Sequence, residues 1–232
     1  KCYENQEREA GYCEGDPMGG YDPYSSSKGC AELIVSAYQR SYFPVAKYAE
    51  HGLAIATARA GNVIGGGDWS ANRLIPDLVR ALPRNEMPEL RNPGSLRPWQ
   101  HALEPLGGYL LLGARLAGEG GEAFAGAWNF GPQPTDVRNV GDLAGAMLTR
   151  WGKPGWNAVS DPDAPHEAGL LRLSIDRAVA RLGWSPVWDF NETVARTADW
   201  YRGVEAGDMR FGRRREQIVE HVLAAAAQIV LR

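Results

Sequence analysis

Tyr24 and Lys28 stand four residues apart in the run Tyr24-Ser25-Ser26-Ser27-Lys28. If the run is helical, that spacing puts both side chains on one face. A free phenol, with a pKa of about 10, is a poor base at neutral pH, and an adjacent ammonium favours its charged form. Such a pair can take a proton from an alcohol while hydride leaves the same carbon. The spacing is common by chance, and a packed tyrosine beside a solvated lysine satisfies it too.

The surrounding residues predict the helix. Asp22 is placed to cap it and Pro23 occupies the first helical position, where a missing N–H is harmless. Ile34, Ala37, Tyr38 and Tyr42 recur at helical spacing, so the helix should run from Pro23 to Tyr42, break at Pro44 and resume over 45–51. Leu53 to Arg59 is an apolar run ending before Gly61, which predicts a buried parallel strand, and a glycine-rich loop, Gly65 to Asp68, follows. Further along, helices are expected over Leu74 to Leu82 (opened by Pro76), from Leu103 through Ala114, from Val140 to Trp151, from Asp176 to Leu182, from Phe190 to Tyr201 and from Ile218 to Val230. Strands are expected over Pro88 to Asn92, Trp128 to Phe130 and Trp156 to Val159. Residues 152–169 read as a surface loop able to close over a ligand, with a plain connector as the alternative.

The 232 residues are 44% hydrophobic and 23% charged, enough for one globular domain or a domain with a small lobe. A formal net charge of −3 argues against a nucleic-acid or anionic-membrane surface. Arg213-Arg214-Arg215 is the only basic run. With no apolar run near the ~20 residues of a membrane span and no leader pattern, the expected location is cytoplasmic. Cys2, Cys13 and Cys30 are odd in number and lack CxxC spacing, so neither disulfides nor a metal site is expected. Lys1-Cys2-Tyr3 carries no methionine, cap or signal and reads as a truncated start.

The run from Asp16 to Glu32 resembles the extended short-chain dehydrogenases that modify nucleotide sugars, and most of all the branch that dehydrates CDP-glucose. Further matches follow in order: Ala58 to Trp69, Arg73 to Asp77, Arg97 to His101, Asn129 to Pro132, His166 to Ala168 and Leu182 to Trp184. The resemblance implies NAD as cofactor, CDP-glucose as substrate and a homodimer or higher homo-oligomer built on the Tyr24 helix. It implies Tyr24 as the base at the sugar 4-hydroxyl and Lys28 as the residue holding the nicotinamide ribose. Lys1 matches the lysine of the family's Asp-Lys-Cys-Tyr-Glu-Asn run, at the position acting on C5, and the partner aspartate of that run lies before Lys1. Ala60 and Val63 match positions bordering the nicotinamide. Asn62 matches a contact to the nucleotide-sugar phosphates, Arg73 a substrate-binding position, Leu74 and Ile75 positions that pack on the nucleotide base, and Arg97 an arginine on the pyrophosphate. His166 and Glu167 match a late pair near the phosphate and ribose. The bland alternatives are a turn asparagine at Asn62, helix core at Leu74 and Ile75, and a surface arginine at Arg97.

The expected fold is α/β: the C-terminal part of a Rossmann-like doubly wound parallel sheet plus a smaller α/β substrate-binding lobe. Residues 1–68, interleaved with parts of 95–135, would belong to the NAD-binding domain, 69–205 mainly to the nucleotide-sugar lobe, and 206–232 to a C-terminal helix. No G-x-G-x-x-G occurs in the chain. Two rival readings therefore stand beside the dehydratase: a nucleotide-sugar 4-epimerase, which shares the tyrosine–lysine pair, and a non-catalytic nucleotide-sugar-binding fragment.

Overall fold

A computed structural model describes all residues except 83, 85, 154, 160–167, 208–211 and 231–232. Helix α1 (Pro23–Ser41) begins as its sequence dictates: the Asp22 carboxylate accepts from Ser25 N at 2.9 Å, and Pro23 sits in the first turn. Those Ser25 hydrogen bonds hold the Asp22 carboxyl below the usual carboxylate range. After a short α2 (Tyr48–His51), Gly52 takes a left-handed φ of 67° and redirects the chain into β1 (Ala56–Ala60). β2 (Asn62–Ile64) follows at once. The remaining elements are α3 (Leu74–Ala81), β3 (Glu89–Leu90), β4 (Leu96–Arg97), β5 (Trp99–His101), α4 (Leu103–Ala117), β6 (Gly126–Phe130), β7 (Arg138–Asn139), α5 (Val140–Arg150), β8 (Asn157–Ala158), α6 (Phe190–Glu205) and α7 (Gly212–Val230).

Three of the strand pairs are parallel, β1 with β6, β2 with β5 and β3 with β8, while β4 and β7 run antiparallel. The β1–β6 register, Ala56 opposite Gly126 to Ala60 opposite Phe130, brings both strands' C-terminal ends to one edge. In an open α/β sheet that edge is where ligands bind. β2 leaves from it and carries the chain into the Gly65–Asp68 loop.

Three differences from the expected elements have simple causes. The first strand starts at Ala56, not Leu53, because Leu53 is still turning: its N–H donates to His51 Nδ1. α3 starts at Leu74 as expected but does not open on Pro76, which is its third residue, still among the first four whose N–H has no intrahelical partner. The helix at Asp176 widens into a π turn over Ala178–Leu182 and ends at Gly183, φ 73°.

Two main hydrophobic cores result. One gathers Trp128 and Phe130 of β6 with Leu112, Ile175, Ala178, Leu182 and Trp184. The other packs α3, α5 and α6 around Ile75, Leu78, Leu143, Met147, Val194 and Tyr201. Residues 175–184 therefore pack on the β1–β6 side, although they lie within the 69–205 span expected to form the lobe.

His101 ends β5 at 3% exposure, edge-on to Trp188 with ring centroids 4.9 Å apart. Burial above all, then the charges of His221 and Arg196, push it down from 6.5 to about 4. As pH falls below 6.5 the unfolded chain takes up a proton that the folded chain refuses, so stability declines across the window from 6.5 to about 4. The His101 contribution to the slope approaches ~1.4 kcal/mol per pH unit. Urea denaturation across that window should show the decline, flattened by this amount in His101→Gln; an equal slope in the variant would refute the assignment.

Candidate active site

Tyr24 and Lys28 both face solvent from the first turns of α1, and Tyr24 is 58% exposed. Lys28 Nζ lies over the Tyr24 ring, 5.2 Å from its centroid. The ammonium and the phenol thus share one open face, as the spacing predicts. α1 approaches the N-terminal segment closely through Gly29, where a Cβ would stand 3.3 Å from the Cys2 carbonyl oxygen. That contact sets Lys1, itself exposed, beside the same end of the helix.

The segment from Lys1 to Met18 is held by polar groups drawn from across the chain. Tyr3 is buried, and its hydroxyl donates to Asn129 Oδ1 on β6 at 2.7 Å. Burial is the main cause that pushes the Tyr3 phenol up to about 12. It stays a neutral donor throughout the physiological range. Arg59, at the end of β1, donates to Tyr3 and pairs with Glu32 of α1 at 2.7 Å.

At the strand ends, Ala60 and Val63 are exposed, Val63 at 48%, and Asn62 is half-buried. Beyond them the Gly65–Asp68 loop is tied down by Tyr201, whose hydroxyl donates to the Asp68 carbonyl at 2.7 Å. Gly66 lies so close to Trp200 that a Cβ there would fall 2.1 Å from the indole. Trp69 is half exposed, edge-on to Tyr201. Arg73 is exposed at the cap of α3, and Leu74 is partly buried against the core. Ile75 is only 4% exposed and lies within the core, so its side chain packs against protein.

Arg97 on β4 is buried, with Nη1 donating to the Leu96 carbonyl. Next to it runs an extended strap, residues 168–174. On one side Leu96 exchanges backbone hydrogen bonds with Gly169 and Leu171; on the other Asn5, Glu7 and Tyr12 hold Leu170, Gly169, Arg172 and Ser174. The strap therefore joins β4 to the segment leading into α1. His166 and Glu167, immediately before it, lie outside the described residues, as does much of the 152–169 loop. Neither the strap nor the Arg59–Glu32 pair is expected from the sequence; the only hint is a charge at the end of an otherwise apolar strand.

The donor set fits a nicotinamide ribose: an ammonium and a phenol hydroxyl, adjacent and open to solvent. Among the described residues no cluster of acidic, histidine or cysteine side chains could hold a metal ion, and no helix is long and apolar enough to cross a membrane.

The parallel α/β arrangement gives the chain the Rossmann-type fold seen in solved structures of sugar-nucleotide dehydratases and epimerases. Over 217 residues it is 47% identical to the CDP-glucose 4,6-dehydratase of Salmonella typhimurium, covering 93% of this chain and 60% of that protein. It is 31% identical to a dTDP-glucose 4,6-dehydratase of Streptomyces antibioticus, covering 82% of this chain and 51% of the relative. Among solved structures, the Streptomyces venezuelae dTDP-glucose 4,6-dehydratase with NAD bound matches with a TM-score of 0.69 at 25% identity, over 85% of this chain and 56% of that one. A Bacillus cereus UDP-glucuronic acid 4-epimerase shares the fold, with a TM-score of 0.70 at 14% identity over 85% of this chain and 58% of that one. No family model matches the chain.

Proposed function

We propose that this protein dehydrates CDP-glucose to CDP-4-keto-6-deoxyglucose with NAD as an internally recycled cofactor, acting in the cytoplasm. The observation that carries the reading is the 47% identity to a CDP-glucose 4,6-dehydratase, joined to the open face that Tyr24 and Lys28 share on α1. NAD, when bound, supplies the hydride acceptor for C4 and the donor for C6. Tyr24 takes the proton of the 4-hydroxyl, and Lys28 beside it holds the ribose. Lys1 removes the C5 proton, which the adjacent C4 ketone acidifies by enolate delocalisation. The C6 hydroxyl leaves as water with one of the two protons that Tyr24 and Lys1 have removed, and the other returns to C5 as hydride is restored at C6.

Ala60 and Val63 border the nicotinamide, and Asn62 with Arg97 faces the diphosphate, for which a guanidinium fork is suited. Arg73 and Leu74 face the base, with Ile75 shaping that wall from inside the core. His166 and Glu167 are assigned to the phosphate and ribose. In domain terms, 1–68 with parts of 95–135 would serve the cofactor and 69–205 mainly the nucleotide sugar, with 206–232 as a C-terminal helix. Leu33, Ile34, Tyr38 and Tyr42 lie exposed along α1 and support a homodimer through that helix.

Incubation with CDP-glucose tests the reading: a 4-keto product absorbing in alkali is expected. Conversion to an epimer without that absorbance would overturn it in favour of a 4-epimerase, and nucleotide-sugar binding without turnover in favour of a binding fragment.

A further inference from the structure

Arg59 is a charge at the end of an apolar strand, and none of the chemistry above uses it. Its Nη2 pairs with Glu32 of α1 at 2.7 Å, with the two side chains 9% and 14% exposed. Its Nη1 donates to Tyr3 Oη at 2.7 Å and to the Glu14 carbonyl at 3.1 Å. The contacts extend outward from there. Thr57 donates to the same Glu32 oxygen at 2.8 Å, Tyr3 donates to Asn129 Oδ1, and the Asn129 N–H donates to the Glu14 carboxylate at 2.9 Å. One guanidinium thus joins β1, α1 and the segment that begins at Lys1, and links through Tyr3 and Glu14 to β6.

We propose that Arg59 is a positioning residue that holds the Tyr24–Lys28 helix and the Lys1 segment in a single frame, so that groups acting on adjacent sugar carbons keep their separation. The inference rests on the dehydratase reading for its purpose, and on the contacts above for its geometry. Glu32 lies eight residues beyond Tyr24, about 12 Å along the helix axis, so the pair resists rolling and sliding of α1 from a point well behind the reacting face. The fork matters because two bonds must be made in two directions. Lysine, with a compact charge on a flexible stem, cannot hold Glu32 and Tyr3 in the same fixed geometry.

Thiol labelling gives a readout independent of turnover. Cys2 adjoins Tyr3 and is 7% exposed, while Cys13 and Cys30 are exposed. In the protein as its own gene encodes it, a thiol reagent followed by mass spectrometry should modify Cys13 and Cys30 fast and Cys2 slowly. Arg59→Lys, Glu32→Gln and Tyr3→Phe are each expected to speed Cys2 labelling about tenfold or more, by freeing the segment to open locally. They should also lower kcat for CDP-glucose about tenfold or more while KM stays within about threefold, the pattern of lost alignment rather than lost binding. Circular dichroism identifies the variants that fold. Should Arg59→Lys not fold, Glu32→Gln and Tyr3→Phe decide the matter. Slow Cys2 labelling with unchanged kcat in folded variants would overturn the proposal. Absence of turnover in the unsubstituted protein would overturn the dehydratase reading alone, since Cys2 labelling still reports whether Arg59 holds the two segments.

Discussion

Tyr24→Phe is expected to lower turnover of CDP-glucose by about 10²- to 10⁴-fold, the range a positioned proton-transfer group contributes, while leaving the fold unchanged. The two effects separate because the side chain is 58% exposed and its hydroxyl makes no hydrogen bond among the described residues. A substitution at such a surface site shifts stability by no more than about 0.5 kcal/mol. Substrate binding should also survive, because the ring remains and the proposed diphosphate and base contacts lie elsewhere. The measurement is a steady-state assay of the 4-keto product beside a thermal melt. A variant retaining a third or more of its turnover would remove Tyr24 from the chemistry, and a large loss of stability would show that the phenol is structural.

The largest stability effect is expected at Glu104. Its carboxylate is fully buried at the start of α4, where one oxygen accepts from Val187 N and the other from Trp188 N, each at 2.9 Å. His221 of α7 lies 3.2 Å from the same group, within ion-pair reach though outside hydrogen-bonding geometry. One side chain thus ties α4 to the approach of α6 and to α7. Glu104→Ala leaves two buried N–H groups without acceptors, at about 1–3 kcal/mol each, and opens a cavity. A loss of about 3–5 kcal/mol is expected, with Tm lowered by roughly 10 °C in a chain of this size. Glu104→Gln should fall between, since an amide offers a single acceptor oxygen and its NH2 would oppose the second N–H. Urea and thermal denaturation read both variants, and a loss below about 1 kcal/mol in Glu104→Ala would show that water or a shifted backbone replaces the carboxylate.

The long helices are legible in the sequence because they repeat their pattern several times. Asp22, Pro23 and the stripe from Ile34 to Tyr42 define α1, and Leu143, Met147 and Trp151 define α5. β2, β4, β5 and β7 are not legible. Each has two or three residues, too few to display alternation, and each is held by its partner's position. The strap is hidden for a related reason: its partners on both sides, Leu96 and the segment from Asn5 to Tyr12, are far away in sequence, and no local propensity encodes them. At the site, the Tyr24–Lys28 face follows directly from spacing. Ile75 shows the limit of motif matching, because its helical spacing with Leu78, Val79 and Leu82 already marks it as core. The Arg59–Glu32 pair is invisible for want of any local rule linking a strand-end charge to one on a helix 27 residues earlier.

The strap also sets an order of events during synthesis. Asn5 reaches Leu170, and Glu7 reaches Gly169, across 165 and 162 residues. At a ribosomal rate of about 5–20 residues per second, the first of these segments waits roughly ten to thirty seconds for the second to be made. Throughout that interval the stacked Tyr3 and Tyr12 rings lack Leu173 as a cover. The nascent chain therefore carries an uncovered aromatic pair until most of it has left the ribosome, which makes this segment a natural client for a holding chaperone and the place where a stalled or shortened product would first aggregate.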